Sequence, residues 1–533
     1  MSVAAIKGIR YVRPGVEVKG EIIPPAEIAK ILKREIGIGR RLFSKIPFLR
    51  SASRLSEYHR RIFQSLERPA MYSKHMVSWE GTDDPACDMA SGAVKSLLDH
   101  VKDKFGITSK QIYAIVVTGT TFNSNDPPGS SGVIDKLITD KVVPAEVITG
   151  DGKDGRTGWE VWNITEGCDG WVKMADLIDR FMKAKLFDGK FKKEDLQNPD
   201  GKRYVIGVAA ANNELYMDGK NPHEILTYTN NAVATLFEVI EDNSGPLVFG
   251  DEKIFPNRRG KVTHHIREPK GLNSWGQYFR PNIAESKKEA SRLRHSSPGY
   301  LLTLSKNNGF QISDFKKIII SQISEAVLRK VEIRLADEYR KELKLFPNIR
   351  QELKEVLLTL GINESAIKSD TEDELDSFIE DEVGEKEKKE GEIEGNICRY
   401  FYVLAKKLSD NDDLYATNEV ISLLNFNEGQ LLQYMIKLHK AIPRTKHENG
   451  GYSGVTDLPI TLAQLIEKEN VDLKKDSLIF VGMGLGKMEG MIMDHTNTSG
   501  VNHLTQMNSS ELTQVDFNVP DLIKDEEPMV GIK

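Results

Sequence analysis

A chain of 533 residues exceeds the size of one hydrophobic core, so the sequence predicts two large units or a duplicated architecture. Its formal net charge of -6 argues against bulk binding of nucleic acid or of an anionic membrane. The three cysteines, Cys87, Cys168 and Cys398, have neither disulfide-like nor zinc-like spacing, which favours a reducing compartment. No apolar run approaches the roughly 20 residues that span a bilayer, and the first residues lack the apolar part of a signal peptide. We therefore expect a cytoplasmic protein with no membrane span and no nucleic-acid partner.

The first half of the chain alternates between two kinds of pattern. Short apolar runs predict strands at residues 4–12, 112–118, 144–148, 204–211 and 228–240. Helical periodicity predicts helices at residues 25–33, 88–104, 133–138 and 172–182. Strands that alternate with helices in this way imply a parallel-rich sheet covered on both faces.

The second half repeats this pattern. It predicts helices at 295–308 and 323–345, a loop and helix at 454–468, and buried strands at 315–321 and 477–483. Two related halves would explain the length of the chain. Residues 346–439 interrupt the second half with a helical pattern and a charged run at 370–394, which is typical of a solvated helix or a flexible linker.

Cys168 is the residue on which a catalytic hypothesis can be built. It lies in a Glu-Gly-Cys-Asp-Gly bend directly before the amphipathic run at 172–182. At a helix N-terminus, unpaired backbone N–H groups and the helix dipole stabilise a thiolate and lower the thiol pKa. That environment suits a nucleophile that forms a thioester. The alternative is a buried structural cysteine.

Several motifs, in order along the chain, resemble those of the thiolase superfamily, and most closely those of beta-ketoacyl-acyl carrier protein synthase III. Glu-Gly-Cys-Asp-Gly-Trp at 166–171 is similar to the family's Ala-Cys-Ser-Gly-Phe nucleophile elbow. Val-Gly-Met-Gly-Leu-Gly at 481–486 is similar to its C-terminal glycine-rich strand end. Further resemblances lie at 37–41, 88–93, 117–120 and 127–128.

This resemblance implies a five-layered αβαβα fold of two pseudo-symmetric halves. Residues 1–250 would form the N-terminal half with the nucleophile, and residues 251–345 and 440–505 the C-terminal half. The mainly helical residues 346–439 would be an insertion in the C-terminal half, and residues 506–533 an irregular tail.

The resemblance also implies an activity and partners. Cys168 would take an acyl group from acyl-CoA or an acyl carrier protein, and the coenzyme A or phosphopantetheine thioester would be a substrate, with no further cofactor and no metal. Backbone N–H groups of Cys168 and of the loop that contains Gly484 and Gly486 would stabilise the oxyanion. The family implies a homodimer, and a heterodimer with another synthase-like subunit is the alternative.

The sequence departs from the family at the two residues that act with the cysteine. Where the decarboxylating enzymes have a histidine, this chain has Ser321, and the family's asparagine falls in a loosely matched stretch that contains Asn449 and Tyr452. Serine lacks the charge and basic lone pair of an imidazole, so an ordinary decarboxylative condensation is not expected. The candidate substitutes are His264, His265, His295, His447 and Glu166, although no spacing ties a histidine to Cys168.

Two hypotheses from different classes follow. The first is an acyltransferase or non-standard condensing enzyme of fatty-acid-like or specialised-metabolite biosynthesis. The second is a non-catalytic synthase-like subunit that acts as scaffold or partner of an intact ketosynthase. A dinucleotide site at 482–486 is not favoured, because its third glycine comes one position too early for the fingerprint.

Overall fold

The structure is a computed structural model, and the residues that it describes fall into separate ranges. They are residues 2–13, 16–17, 21–23, 76–78, 85–119, 130–150, 158–164, 168–189, 196, 198, 201–211, 229–240, 245–251, 253–254, 264–266, 279–281, 296–321, 325–359, 397–411, 420–445, 452–484 and 487–495.

The strands within these ranges are β1 Ala4–Val12, β2 Glu21–Ile23, β3 Met76–Ser78, β4 Ile112–Thr118, β5 Glu160–Ile164, β6 Tyr204–Ala211, β7 Asn231–Val239, β8 Leu247–Phe249, β9 Lys253–Ile254, β10 His264–Ile266, β11 Phe279–Pro281, β12 Lys317–Ile320, β13 Leu478–Gly484 and β14 Lys487–Met493. The helices discussed below are α1 Pro85–Phe105, α2 Ser130–Thr139, α3 Ala145–Thr149, α4 Gly170–Phe187, α5 at residues 296–307, α6 Glu325–Glu342, α7 Gln351–Thr359, α8 Ile397–Asn411, α9 Phe426–Ala441 and α10 Asp457–Lys468.

Two sheets share one strand order. The first runs β1-β7-β6-β4-β5 and the second β8-β14-β13-β12, with β9 also paired to β14. In the first sheet β1 and β6 are both antiparallel to β7, and β6 is parallel to β4. In the second sheet β8 and β13 are both antiparallel to β14, and β13 is parallel to β12. This repetition is the duplication that the sequence predicts. The edge strand of the second sheet, Leu247–Phe249, lies just before residue 250, where the sequence predicts the end of the N-terminal half.

Helices α4 and α10 lie between the two sheets. Apolar side chains of both helices, such as Met174 and Leu462, pack in one cluster with residues from both sheets. Helices α1 and α2 cover the outer face of the first sheet, and helices α5 to α9 cover the outer face of the second. Strands β4 and β6 are apolar almost throughout because helices cover both of their faces. The five layers predicted from the resemblance are therefore confirmed.

Most predicted elements are confirmed, and two expectations are corrected. Residues 144–148 form no strand, because Pro144 is the N-cap of helix α3. The first sheet is mixed rather than parallel-rich, since β7 is antiparallel to both of its neighbours. Strands β5 and β14 were not predicted at all. The helix predicted at 25–33, the motif at 37–41, the charged run at 370–394 and the tail at 506–533 lie outside the described residues.

Within the described part of the chain, no helix has both the length and the apolar character needed to cross a bilayer.

Candidate active site

Cys168 lies at the start of α4, the central helix of the first half. The chain leaves β5 at Ile164 and begins α4 at Gly170, so the cysteine occupies the turn before the helix. Asp169 is the N-cap, and its carbonyl oxygen accepts a hydrogen bond from the N–H of Lys173 at 3.1 Å. The predicted position at a helix N-terminus is confirmed, and it places the thiol near the positive end of the helix dipole.

Trp171 anchors the first turn of α4 to both sheets. This side chain is fully buried, and its indole N–H donates to Thr235 Oγ1 of β7 at 3.1 Å. Its ring centroid lies 5.4 Å from that of Phe480 in β13. Because one rigid side chain contacts both sheets, the position of Cys168 is fixed relative to both halves of the fold.

Cys168 is the partly exposed member of the three cysteines, all of which lie in described residues. Cys87 and Cys398 are buried. Burial raises the pKa of the Cys398 thiol to about 12. The thiolate is the nucleophilic form, so Cys398 is unreactive near neutral pH and Cys168 is the candidate nucleophile.

The second half of the fold closes around Cys168 through two glycines. A Cβ built on Gly454 would lie 3.7 Å from the Cys168 sulfur. A Cβ built on Gly482 would lie 3.3 Å from the Cys168 carbonyl oxygen and 2.9 Å from the Asp169 Cα. Cys168 therefore lies where the two halves meet, with backbone of the C-terminal half directly against it.

A 3-10 turn, Gly454–Thr456, leads into α10 and holds Gly454 in place. The Thr456 hydroxyl donates to Asn231 Oδ1 at the start of β7, and the Ser453 carbonyl oxygen lies 3.1 Å from the same hydroxyl. The Tyr452 carbonyl oxygen accepts a hydrogen bond from the Thr229 N–H at 3.0 Å. These bonds fasten the turn of the second half to the first sheet.

Ser321, the residue at the position of the family's histidine, lies on the Gly482 side of the site. It follows the last residue of β12 and is fully buried, and its N–H donates to the Val481 carbonyl oxygen at 3.2 Å. Since Ile320 pairs with Val481, Ser321 comes beside Gly482 in register. The structure thus brings this position to the strand end that contacts Cys168.

Charged groups surround the first turn of α4. Lys173 forms an ion pair with Glu489 at 3.0 Å, and the Glu489 side chain is only 6% exposed. Glu489 lies opposite Gly482 in the pairing of β13 with β14. Asp169 is fully buried beside the cysteine. Buried charges act strongly on their neighbours because the surrounding dielectric constant is low, and this pair lies on the first turn of α4 and on the strand beside Gly482.

The other predicted site residues are placed as follows. Gly484 ends β13 and pairs with Lys487, two positions beyond the glycine that contacts Cys168. Tyr452 is buried. His264 and His265 lie in the two-stranded sheet of β10 and β11. Outside the described residues lie Asn449, Gly486, His295, His447 and Glu166. Within the described ranges, no group of three His, Cys, Asp or Glu side chains is arranged to hold a metal.

Sequence reasoning missed the polar residues that line the junction, namely Thr118, Asn231, Ser453 and Thr456. All four are fully buried. The available signal was a polar residue at the edge of an otherwise apolar strand, as Thr118 is in Ile112–Thr118 and Asn231 is in Asn231–Val239. In the sequence alone such residues cannot be told from ordinary strand ends, because only the fold brings them together.

Comparison with known proteins supports the architecture. No protein-family model matches the sequence, and no curated protein sequence matches it. The structure is similar to 3-oxoacyl-(acyl carrier protein) synthase III, FabH, from Pseudomonas aeruginosa PAO1, at 10% identity and a TM-score of 0.50 over 92% of this chain and 98% of that chain. A variant of OleA from Xanthomonas campestris is 11% identical, with a TM-score of 0.49 over 92% and 98% of the two chains. The priming beta-ketosynthase from the R1128 polyketide pathway is 12% identical, with a TM-score of 0.48 over 92% and 96%.

The protein therefore has a thiolase-like fold, similar to that of 3-oxoacyl-(acyl carrier protein) synthase III. The repeated strand order and the five layers agree with the fold that the sequence predicts.

Proposed function

We propose that the protein is an acyltransferase or non-standard condensing enzyme that forms an acyl thioester on Cys168. The donor is an acyl-CoA or an acyl carrier protein, and the pathway is fatty-acid-like or specialised-metabolite biosynthesis. One observation carries the proposal. Cys168 is partly exposed at the N-terminus of a central helix, and backbone of the second half lies against its sulfur.

The first step exchanges one thioester for another. The Cys168 sulfur attacks the carbonyl carbon of the donor thioester and forms a tetrahedral intermediate with a negatively charged oxygen. The intermediate expels the donor thiolate, which takes up the proton that the Cys168 thiol has lost. A second substrate then attacks the new thioester and releases the cysteine.

Backbone N–H groups are the proposed donors for the oxyanion. Cys168 supplies one, and the strand end with Gly484 and Gly486 supplies the other. In support, Gly482 of the same strand contacts the Cys168 backbone. An oxyanion site built from main-chain groups needs no particular side chain, so it is compatible with the divergence of this sequence.

Ser321 limits the second step. A neutral hydroxyl cannot carry the positive charge with which an imidazolium stabilises a developing enolate. We therefore propose that the acyl group passes from Cys168 to an acceptor that is already nucleophilic. This transfer does not depend on decarboxylation of a malonyl thioester. Asn449 is the proposed substitute for the family's asparagine.

Intact-protein mass spectrometry tests the proposal. After incubation with a panel of acyl-CoA and acyl carrier protein donors, we expect one acyl mass per chain, located on Cys168 by peptide mapping. Cys168→Ala should lose the added mass. Cys398→Ala is the matched control, because Cys398 is a cysteine buried far from the junction, and it should retain the added mass. An acyl mass on a residue other than Cys168 would contradict the proposal.

The second candidate is a non-catalytic subunit that serves as scaffold or partner of an intact ketosynthase. The observation that favours it is a buried serine at the position of the family's histidine. It predicts that no donor acylates Cys168 and that a second synthase-like chain co-purifies in a fixed ratio.

We further propose that the chain forms a homodimer through the edge of the first sheet. Strand β5 is an edge strand, and within the described residues nothing pairs with its outer side. Val161 of β5 is 40% exposed, and an exposed apolar edge strand is a ready surface for pairing with another copy. Val161→Lys should convert a dimer to a monomer in light scattering. A heterodimer is the other outcome.

The cytoplasm is the proposed compartment. The three cysteines have no disulfide-like spacing, as expected where thiols are kept reduced.

A further inference from the structure

Within the part of the chain that the structure describes, three buried polar atoms beside the junction have no hydrogen-bond partner. They are Thr118 Oγ1, Asn231 Nδ2 and Ser453 Oγ, and all three residues are fully buried. Leaving a buried donor or acceptor unpaired is costly, so such groups usually mark a ligand, a water or a functional site. Three unpaired atoms beside the junction indicate one shared cause.

Thr118 and Asn231 share one face at one end of the first sheet. Thr118 is separated from Ala114 and Val116 on β4 by an even number of positions, and both of these side chains lie in the apolar cluster between the two sheets. Asn231 is likewise separated by an even number of positions from Val233 and Phe237 on β7, which lie in the same cluster. Side chains two apart on a strand point to the same face, so both polar residues face the central layer.

Strand β6 separates the two polar residues and carries only small side chains there. Thr118 pairs with Ala209, and Asn231 pairs with Ala211. Both alanines pack against Val455 of the 3-10 turn. The polar groups of β4 and β7 thus flank a shallow apolar strip, and the turn that follows Ser453 covers it.

The same turn connects this strip to the nucleophile. Ser453 directly precedes Gly454, whose built Cβ lies 3.7 Å from the Cys168 sulfur. Thr118 pairs with Ile164, the last residue of the strand that leads to Cys168. Ser453 and Thr118 are therefore carried by segments that lead to Cys168, and Asn231 is hydrogen-bonded to Thr456 of the same turn.

The orientation of Asn231 is set by its neighbour. Its Oδ1 accepts the hydrogen bond from Thr456, which leaves the amide nitrogen as the unpaired end. The cluster accordingly offers two amide N–H donors and two hydroxyls that can donate or accept. It contains no charged side chain, and the buried Asp169 beside Cys168 disfavours a second anion.

We propose that Thr118, Asn231 and Ser453 form a polar subsite for a neutral oxygen function on the acyl group, a hydroxyl or a keto oxygen within a few carbons of the thioester. This inference rests on the proposed acylation of Cys168 and names the substrate class of that site. The oxygen of such an acyl group supplies a hydrogen-bond partner to the unpaired atoms that it reaches. An unsubstituted acyl group leaves them unpaired and binds less well.

Competition between matched donors tests this subsite. Acylation of Cys168 by 3-hydroxybutyryl-CoA and by acetoacetyl-CoA is compared with acylation by butyryl-CoA, which has the same chain length. We expect the oxygenated donors to react at least about tenfold faster, which corresponds to one buried neutral hydrogen bond. The faster of the two identifies the oxygen as hydroxyl or keto.

Conservative variants separate the subsite from a structural role. Thr118→Val and Ser453→Ala remove a hydroxyl without adding bulk, and the variant that lacks the hydroxyl bonded to the substrate oxygen should lose the preference of about tenfold. Since neither hydroxyl makes a hydrogen bond to a described residue, the melting temperature should stay level or rise. Ser409→Ala is the matched control. Its hydroxyl oxygen is also buried and unpaired but lies on α8, and the variant should keep the wild-type preference.

The outcomes are distinct. Equal rates for oxygenated and plain donors overturn the subsite and leave the acylation of Cys168 intact. A lower melting temperature in Thr118→Val and Ser453→Ala with an unchanged preference shows that the atoms bind a structural water, and this also overturns the subsite. Absence of acylation from every donor overturns the proposed function and the subsite together.

Discussion

Gly454 lies against the sulfur of Cys168, although the two residues come from different halves of the duplicated fold. A Cβ at Gly454 would be 3.7 Å from Sγ, and the glycine has a positive φ of 66°. The left-handed backbone and the missing side chain together keep Gly454 from crowding the sulfur. The candidate nucleophile is therefore carried by the first half, and a glycine of the second half lies against it.

Gly454→Ala should slow the reaction of Cys168 with thiol reagents and acyl donors by about tenfold, because the new methyl group occupies the approach to the sulfur. The positive φ adds a destabilisation of about 1 kcal/mol. Gly106→Ala is the matched control. Gly106 has a φ of 69° with nothing within 4 Å of a built Cβ, so it carries the strain without the crowding. If both variants slow alkylation equally, crowding at Sγ is not the cause.

Gly482→Ala should destabilise the protein by about 1 to 3 kcal/mol, measured by urea unfolding. Its Cβ would lie 2.9 Å from the Asp169 Cα and 3.1 Å from Leu458 Cδ1, and backbone cannot move aside without displacing the start of α4. Gly299→Ala, in α5 with nothing within 4 Å of its Cβ, should instead gain up to about 1 kcal/mol from helix propensity. Equal stability of the Gly482 variant and wild type would contradict the close contact.

Removing either partner of the ion pair between Lys173 and Glu489 should shift the pH midpoint of Cys168 alkylation. The two shifts should have opposite directions. Lys173→Met leaves the carboxylate and raises the midpoint, whereas Glu489→Gln leaves the ammonium and lowers it, each by about one pH unit. The double variant should return near the wild-type midpoint. A purely structural pair would instead lower the melting temperature in both single variants and leave the midpoint unchanged.

Much of the architecture could be predicted from the sequence because its signals are local. The Cys168 bend and the helix after it are contiguous, and the apolar strands β4, β6 and β13 are buried on both faces. Strand β5 escaped prediction because an edge strand with Val161 exposed has no continuous apolar run.

Strand β14 was also missed, because its glycine is typical of a turn although a tertiary contact requires it. The glycines from 484 to 490 indicate a loop, yet Gly490 lies inside β14. A Cβ there would come within 2.6 Å of Tyr300 and 2.7 Å of Leu304, so the glycine is needed for the close approach of α5. The polar cluster of Thr118, Asn231 and Ser453 was equally hidden, because its members meet only through strand register and the contact between the two halves.

Thiol accessibility gives the last prediction. In the native protein at pH 8, maleimide should add one mass per chain, on Cys168, since Cys87 and Cys398 are buried. Burial raises the pKa of Cys398 to about 12. A raised pKa means less thiolate at a given pH, so at pH 8 only about one in ten thousand Cys398 thiols is ionised. In urea all three cysteines should react, because unfolding removes the burial and restores the ordinary thiol pKa. Native labelling of Cys398 at a rate comparable with Cys168 would show that the outer helical layer opens readily and would contradict the burial described for α8.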